Sequence, residues 1–240
     1  MWFLKRRKPK HDMRLTIGTG YYSDKRKRNN AVRFADYWHK ANLKDFALGL
    51  DKTVVVVADN AEKGCSPRWS KYGYQIIKAD ENLGTYLQMW NYDDPALGAP
   101  NLCGWTVSWM IGAMFAYFRR TDFVYIEQDC LCAGPWFQAI KDQANKSDMK
   151  VLFGDSKQMG CEQSLFWIDR AFIPWFIGVY LQYPGEGKML CEDKFAAIKQ
   201  RYPQFVGHHF VGPGRERPIP ATGPRSAQKL SREEISAFMQ

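Results

Sequence analysis

Two carboxylates separated by one residue follow an apolar stretch and could bind a metal ion. The run 123–126 predicts a buried strand, and Glu127 and Asp129 come directly after it. Because side chains alternate along an extended chain, both acids should point to the same side where the strand leaves the sheet. Carboxylate oxygens suit a divalent cation that carries a phosphorylated substrate. The alternative is an ordinary polar strand end followed by a turn.

Polar side chains follow two other predicted strands in the same way. The valine-rich strand 53–57 leads to Asp59, and the strand 15–19 leads into a loop with Tyr21 and Tyr22, which could stack on a nucleobase. In an open α/β sheet, ligands bind where the carboxyl ends of the parallel strands meet. We therefore expect these groups to converge on one site, and that convergence is the main argument for a site.

A second set of candidates lies near the carboxyl terminus. Glu192 and Asp193 begin a predicted helix, and either could act as a general base toward an attacking hydroxyl. Acids in the first turn also stabilise a helix, so a structural role is the alternative. His208 and His209 fall in a predicted strand and face opposite ways, so only one could offer a neutral nitrogen to a metal. Both could instead be structural histidines.

An aromatic band and six cysteines offer weaker signals. Trp167 and Trp175 belong to this aromatic band, which spans residues 166–176. They could contact a sugar acceptor, although such residues also fill cores. No Cys-x2-Cys pair repeats, which argues against a zinc ribbon or a disulfide framework. Cys130 and Cys132 could reach a soft metal or could be buried hydrophobes in a reduced compartment.

Strands and helices must position these residues, and the chain alternates between the two. Further strands are predicted at 74–78, 150–154 and 205–211, and helices at 31–43, 105–118, 135–145 and 192–201. Residues 163–182 are predicted as two short helices or one helix kinked at Pro174. Four successive valines indicate a central strand that is covered on both faces. We predict an α/β fold, with a mostly parallel central sheet and helices on both faces.

Composition narrows the class of protein. Hydrophobic residues make up 45% of the 240 residues and aromatic residues 15%, which indicates a globular chain with a substantial core. The net charge of +9 suits an anionic partner such as nucleic acid, a phosphorylated sugar donor or an acidic membrane face. Much of this charge lies in the basic runs 5–8 and 25–28, which could also be solvated surface.

Three parts of the chain are distinguished by composition. Residues 1–12 form a basic tail, residues 13–212 one domain, and residues 213–240 a Pro/Gly-rich tail with a short terminal helix. The uncharged segment 102–118 predicts a buried core helix rather than a membrane span. We expect a cytoplasmic protein whose basic N-terminus could make peripheral contact with a membrane.

The order of these features resembles that of the GT-A type nucleotide-sugar glycosyltransferases. The matching pieces run in order through residues 13–211: the strand ending at Asp59, the segment 81–84, the strand and acids 125–129, the acid pair 192–193 and the segment 206–208. The resemblance implies a single GT-A-like, Rossmann-like domain. It also implies a nucleotide-sugar donor and a glycan or glycoconjugate acceptor.

The resemblance implies a role for each matching residue. Asp59 would contact the nucleobase, and Asn82 belongs to the Asn-x-Gly element after the third strand. Glu127 and Asp129 match the metal-binding D-x-D strand, and His208 would complete the ligation of Mn²⁺ or Mg²⁺. The first acid of this motif is Glu here rather than Asp, which departs from the family pattern.

We therefore predict a metal-dependent glycosyltransferase that transfers a sugar to a glycan, glycolipid or glycoprotein hydroxyl with inversion. Asp193 is the expected base and Glu192 the reserve, because they match the acid pair of inverting members. A sugar-phosphate nucleotidylyltransferase would need a Gly-rich basic loop after the first strand, and residues 18–22 match this poorly. A non-enzymatic nucleic-acid-binding protein would suit the charge, but the basic residues lie in tails and one loop, so we expect no nucleic acid partner.

Overall fold

Strands and helices alternate along the part of the chain that the computed structural model describes, residues 14–21, 28–44, 46, 48, 52–59, 67–78, 104–132, 135–154, 161–184, 189–209 and 225–226. The strands are β1 Leu15–Tyr21, β2 Val54–Asp59, β3 Gln75–Lys78, β4 Asp122–Ile126, β5 Cys130–Leu131, β6 Val151–Gly154, β7 Glu162–Ile168, β8 Val206–His209 and β9 Arg225–Ser226. The helices are α1 Arg28–Leu43, α2 Pro67–Ser70, α3 Gly104–Arg119, α4 Trp136–Ser147, α5 Ile173–Leu181 and α6 Cys191–Arg201.

Seven of the nine described strands form one sheet in the order β3-β2-β1-β4-β7-β6-β8, and β5 pairs with β9. Strands β1 to β4 run parallel, and β6 and β8 are parallel to each other. Strand β7 is antiparallel to both of its neighbours, β4 and β6. The predicted α/β fold with a mostly parallel sheet is therefore confirmed. The order also reverses at β1, since β2 lies on one side of it and β4 on the other, which makes a topological switch point.

Helices cover both faces of the sheet, as the valine run predicts. On β2, Val55 and Val57 belong to the core that includes residues of α1, α2 and α4. The alternate residues Val54 and Val56 belong to a second core, which includes Val107 of α3. Alternate residues of one strand thus fill two cores, which explains why no polar position interrupts it.

Helix α3 crosses β1 at very short range because two glycines face each other. A Cβ atom on Gly112 would lie 3.2 Å from the Cα atom of Gly18 and 2.8 Å from a ring atom of Phe123. The absence of side chains at these positions lets the helix lie directly on the sheet. The close approach fixes α3 against β1 and β4, the two strands of the switch point.

The prediction that residues 163–182 are helical is wrong for the first part of this segment. Residues Glu162–Ile168 form strand β7, and the helix α5 begins only at Ile173 after a 3-10 turn. All seven residues of β7 are buried, so the strand has no polar alternation that would distinguish it from a buried helix. Pro174 lies in the first turn of α5, where proline is tolerated, and introduces no kink.

Part of the predicted carboxyl-terminal tail returns to the domain. Residues Arg225–Ser226 pair with Cys130–Leu131, which follows the acidic end of β4. The predicted terminal helix and the basic run 5–8 lie outside the described residues. Within the described ranges, no helix combines the length and the apolar character that a bilayer crossing requires.

Candidate functional site

The carboxyl ends of β1 and β2 bring Tyr21 and Asp59 side by side. The two residues are partners in the strand register. Asp59 is buried, with 3% of its surface exposed, and its Oδ2 atom lies 3.8 Å from Lys78 Nζ on β3. A buried carboxylate at this edge of a parallel sheet can accept hydrogen bonds from a ligand above the switch point. The structure thus places Asp59 at the carboxyl end of β2, and its contact with a nucleotide stays a prediction.

Tyr21 is a core residue. Its side chain is 3% exposed, and its ring packs edge-on against Trp69 at 6.3 Å between centroids. A ring enclosed in this way offers no open face for stacking on a base. The other predicted nucleotide contacts, Tyr22 and Asn82, lie outside the described residues.

The backbone of Glu127 is fixed at the end of β4 by three hydrogen bonds. Its N–H donates to the carbonyl of Ser164 on β7 at 2.9 Å. Its carbonyl accepts from Trp38 Nε1 at 2.9 Å and from the N–H of Cys130 at 3.0 Å. The carboxylate therefore projects from a defined point at the carboxyl edge of the sheet.

The side chain of Glu127 meets a second carboxylate through one hydroxyl. Ser164 Oγ lies 2.7 Å from Glu127 Oε2 and 2.6 Å from Glu162 Oε1, and Ser164 N–H also donates to Glu162 Oε1 at 3.1 Å. Glu162 is buried and Glu127 is half-buried. A single hydroxyl proton can be donated to only one carboxylate at a time. Two acids gathered in this way create a negative potential that suits a cation.

Asp129 is placed by a turn rather than by strand alternation. Residues 128–129 are turn residues, and the bond from Cys130 N–H to the Glu127 carbonyl closes the turn. Because the chain bends between the two acids, strand alternation does not set the directions of their side chains, and the expectation that both point to the same side of an extended strand is wrong. Asp129 is 5% exposed, beside the buried thiol of Cys130.

His208 and His209 have separate environments on β8, and neither lies in the strand next to β4. His208 Nε2 lies 3.5 Å from Cys161 Sγ, and Lys199 Nζ lies 3.2 Å from both ring nitrogens. His209 is fully buried, and its Nε2 donates to the carbonyl of Leu165 at 2.8 Å. Burial lowers the pKa of His209 to about 4, so this ring is neutral.

The structure does not bring His208 together with the acids at the end of β4. Strands β7 and β6 lie between β4 and β8 in the sheet. The ammonium of Lys199 beside the His208 ring also opposes a divalent cation there. His208 as a metal ligand therefore finds no geometric support, because sheet order rather than side-chain direction separates it from Glu127.

The metal predicted for the site can be tested against the donors present. Among the described residues, no group of three or more His, Cys, Asp or Glu side chains could hold a metal ion on its own. Mg²⁺ commonly uses one or two carboxylates together with substrate phosphates and waters. Glu127 and Asp129 supply hard oxygen donors of this kind, so they fit an ion that arrives with a diphosphate.

The first turn of α6 contacts β7 close to the point where β7 contacts Glu127. Gln163 Nε2 donates to Glu192 Oε1 at 2.9 Å, and Gln163 precedes the Ser164 that contacts Glu127. Asp193 is exposed at the start of the helix. Glu192 and the acid of β4, distant in sequence, thus both contact the amino end of β7.

Of the predicted acceptor residues, Trp167 belongs to the core and the half-buried Trp175 packs against it. Trp167 is 1% exposed, and its Nε1 donates to Asp122 at the amino end of β4, away from the acids. Trp175 packs against several rings, including Phe205 at 5.7 Å. The prediction of an acceptor platform at Trp167 is therefore wrong, because a buried indole cannot contact a sugar.

The thiols after β4 are structural. Cys130 and Cys132 are buried free cysteines. A side-chain hydrogen bond that the Cys130 S–H donates to Cys132, and then burial, raise the pKa of the Cys130 thiol. The neutral Cys130 thiol is therefore favoured, which agrees with a core role.

Strand β7 contributes site residues that the sequence analysis missed. Ser164 contacts Glu127 of β4 and Glu162 of its own strand, and Gln163 contacts Glu192 of α6. A strand assignment for residues 162–168 would have revealed them, since residues 162 and 164 would then share a face next to an acidic strand end.

Comparisons with known proteins show distant similarity to solved structures. No protein-family model matches the chain, and no curated protein sequence matches it. Among solved structures, the chain is similar to the crystal structure of mouse xyloside xylosyltransferase 1 in its apo form, with a TM-score of 0.43 and 8% sequence identity. The alignment covers 80% of this chain and 82% of the mouse chain.

Proposed function

We propose that this protein is a glycosyltransferase that uses a nucleotide-sugar donor and a divalent cation. The observation that carries the proposal is that Asp59, Glu127 and Glu192 lie along one edge of the sheet, at the ends of β2 and β4 and beside β7. These acids come from three distant parts of the sequence and reach the carboxyl end of β2, the end of β4 and the start of α6. The order in which they occur is the order that resembles the GT-A glycosyltransferases.

The nucleotide would lie above the switch point between β1 and β4. A buried carboxylate such as Asp59 discriminates among bases because it accepts hydrogen bonds from ring N–H or amino groups. Its neighbour Lys78 keeps the carboxylate from being an isolated buried charge. The donor's diphosphate would then extend toward the end of β4.

Glu127 and Asp129 would hold Mn²⁺ or Mg²⁺ as it arrives with the diphosphate. The ion supplies electrostatic neutralisation of the charge that develops on the leaving group. The residues of this chain do the positioning, since Ser164 orients Glu127 and a backbone turn fixes Asp129. Preorganised donors of this kind need no rearrangement during the reaction.

Asp193 is the proposed base for the acceptor hydroxyl. Its side chain is exposed at the start of α6, so it can reach a bound acceptor. Glu192, by contrast, is held by Gln163 and is suited to fixing the helix start against β7. An incoming hydroxyl needs a carboxylate within hydrogen-bond reach to take its proton.

The experiment is a donor screen that measures nucleoside diphosphate release from nucleotide sugars with and without Mn²⁺. The wild-type protein should release diphosphate from one donor in the presence of an acceptor, and Asp129→Ala should abolish the release. Asp142→Asn, which changes an exposed acid on α4, is the matched control and should leave the rate unchanged. A variant at Asp129 with wild-type rates would refute the proposal.

A further inference from the structure

A basic cavity lies at the edge of the sheet opposite to the acids. Its volume is about 600 Å³. The cavity adjoins the amino ends of β1 and β4 and the carboxyl end of the antiparallel β7, because Arg14 precedes β1, Asp122 begins β4 and Arg170 follows β7. The five residues of β4 put roughly 16 Å of strand between the two edges. The cavity is therefore separate from the proposed transfer site.

The charge of the cavity is strongly unbalanced. The charged residues that line it are Arg14, Arg119, Arg120, Asp122, Lys141 and Arg170. Five cations thus face one carboxylate, a net formal charge of +4. Cations gathered in a concave surface repel one another and raise the local concentration of anions.

The single acid in the cavity is already occupied. Asp122 Oδ2 accepts from Lys141 Nζ at 2.7 Å and from Trp167 Nε1 at 3.2 Å, and its Oδ1 accepts from the N–H of Arg170 at 3.2 Å. The ammonium of Lys141 also lies 4.7 Å from the centroid of the Trp167 ring. The carboxylate therefore balances the lysine, and the guanidinium groups determine which ligand the cavity attracts.

The backbone of Arg120 gives an independent reason to regard the cavity as a site. Arg120 has a φ of 59°, in the left-handed region that favours glycine. It ends α3, where its N–H donates to the Tyr117 carbonyl and the N–H of Thr121 donates to the Ala116 carbonyl. This pair of bonds is the Schellman motif, whose left-handed position is normally glycine. An arginine is conformationally unfavourable there, so its side chain is the feature that needs an explanation.

We propose that this cavity binds a phosphate group. Guanidinium groups bind phosphate through paired, charge-assisted hydrogen bonds, and a phosphate offers three acceptor oxygens and close to two negative charges. A carboxylate offers less charge for the same number of arginines. The volume admits a compact phosphorylated ligand or the headgroup of an anionic phospholipid.

Calorimetric titration with inorganic pyrophosphate tests the proposal. A chelator in the buffer removes divalent cations, so the metal-dependent site contributes no signal. The titration therefore reports on the cavity alone, whether or not the proposed function is correct. We expect saturable binding to the wild-type protein. Arg120→Gly should weaken it by about tenfold or more while the melting temperature is unchanged or higher, because glycine suits the left-handed position.

Lys146→Gln is the matched control, since it removes an exposed cation from α4 that does not line the cavity. It should bind pyrophosphate as the wild type does. The absence of saturable binding to the wild-type protein, or an equal loss in Lys146→Gln, would overturn the proposal.

Cosedimentation distinguishes the two sources of phosphate. Vesicles of phosphatidylcholine with phosphatidic acid, compared with vesicles of phosphatidylcholine alone, should retain the wild-type protein but not Arg120→Gly if the ligand is a lipid headgroup. Pyrophosphate binding without retention on either vesicle would assign the cavity to a soluble phosphorylated ligand.

Discussion

Ser164 on β7 holds the carboxylate of Glu127 at the end of β4 through a contact of 2.7 Å. The same hydroxyl lies 2.6 Å from Glu162, so one side chain of the antiparallel strand orients two acids. The position of the proposed metal ligand thus depends on a residue 37 positions further along the chain.

Replacing this hydroxyl should weaken cation-dependent nucleotide binding more than it weakens the fold. In Ser164→Ala the Glu127 side chain loses its orienting contact, and we expect nucleotide affinity in Mn²⁺ to fall by roughly tenfold, with about 1 kcal/mol of lost stability. Titration calorimetry and urea unfolding measure the two quantities. Ser147→Ala is the control and should bind normally, because the Ser147 hydroxyl donates to the Gln143 carbonyl of its own helix.

The acids of α6 should differ in their effect on transfer. Asp193→Asn is expected to lower the rate constant by roughly 100-fold or more without changing stability, because the exposed side chain would act as a general base. Glu192→Gln keeps an oxygen that can accept from Gln163 and should retain most activity. Initial rates and melting temperatures check both variants. A large rate loss in Glu192→Gln with none in Asp193→Asn would reverse the assignment.

His209 should make the protein acid-sensitive. Burial lowers its pKa from 6.5 to about 4, so the native state binds fewer protons than the unfolded state between these values. Its contribution to stability is complete above pH 6.5 and is lost as the pH falls toward 4, by up to about 3 kcal/mol. His209→Gln can keep the donor to the Leu165 carbonyl without a titrating group. Urea unfolding across this range should show a steeper loss in the wild type, and parallel curves would contradict the assignment.

The contact between α3 and β1 should not tolerate a methyl group. In Gly112→Ala the new Cβ would lie 3.2 Å from the Gly18 backbone and 2.8 Å from the Phe123 ring. We expect a loss of about 1–3 kcal/mol even though alanine favours helices by about 1 kcal/mol. Denaturant unfolding measures this, and equal or greater stability would show that the helix can move away from the sheet.

The sequence predicts those elements whose composition alone determines them. The valine run predicts a strand covered on both faces, and every position of Val54–Asp59 is buried, although β2 lies second from the edge of the sheet rather than at its centre. The long apolar helix predicted at 105–118 is found at Gly104–Arg119 for a similar reason. Neither prediction needs information about distant parts of the chain.

The site was predicted less completely because its geometry depends on strand order. The strand Glu162–Ile168 lacks polar alternation, and its place between β4 and β6 is set by partners far away in sequence. The contacts of Ser164 therefore could not be foreseen. Strand periodicity likewise separates the neighbours of His208 from those of His209 but does not reveal the two strands between His208 and Glu127.

A thermal-shift panel of nucleoside diphosphates with and without Mn²⁺ or Mg²⁺ tests the central claim, that Glu127 and Asp129 bind a cation together with a nucleotide. A ligand that binds only the native state raises the melting temperature. We predict a rise for one base that requires the cation and is absent in both Glu127→Gln and Asp129→Ala. No cation-dependent rise with any nucleotide, or an unchanged rise in both variants, would contradict the claim.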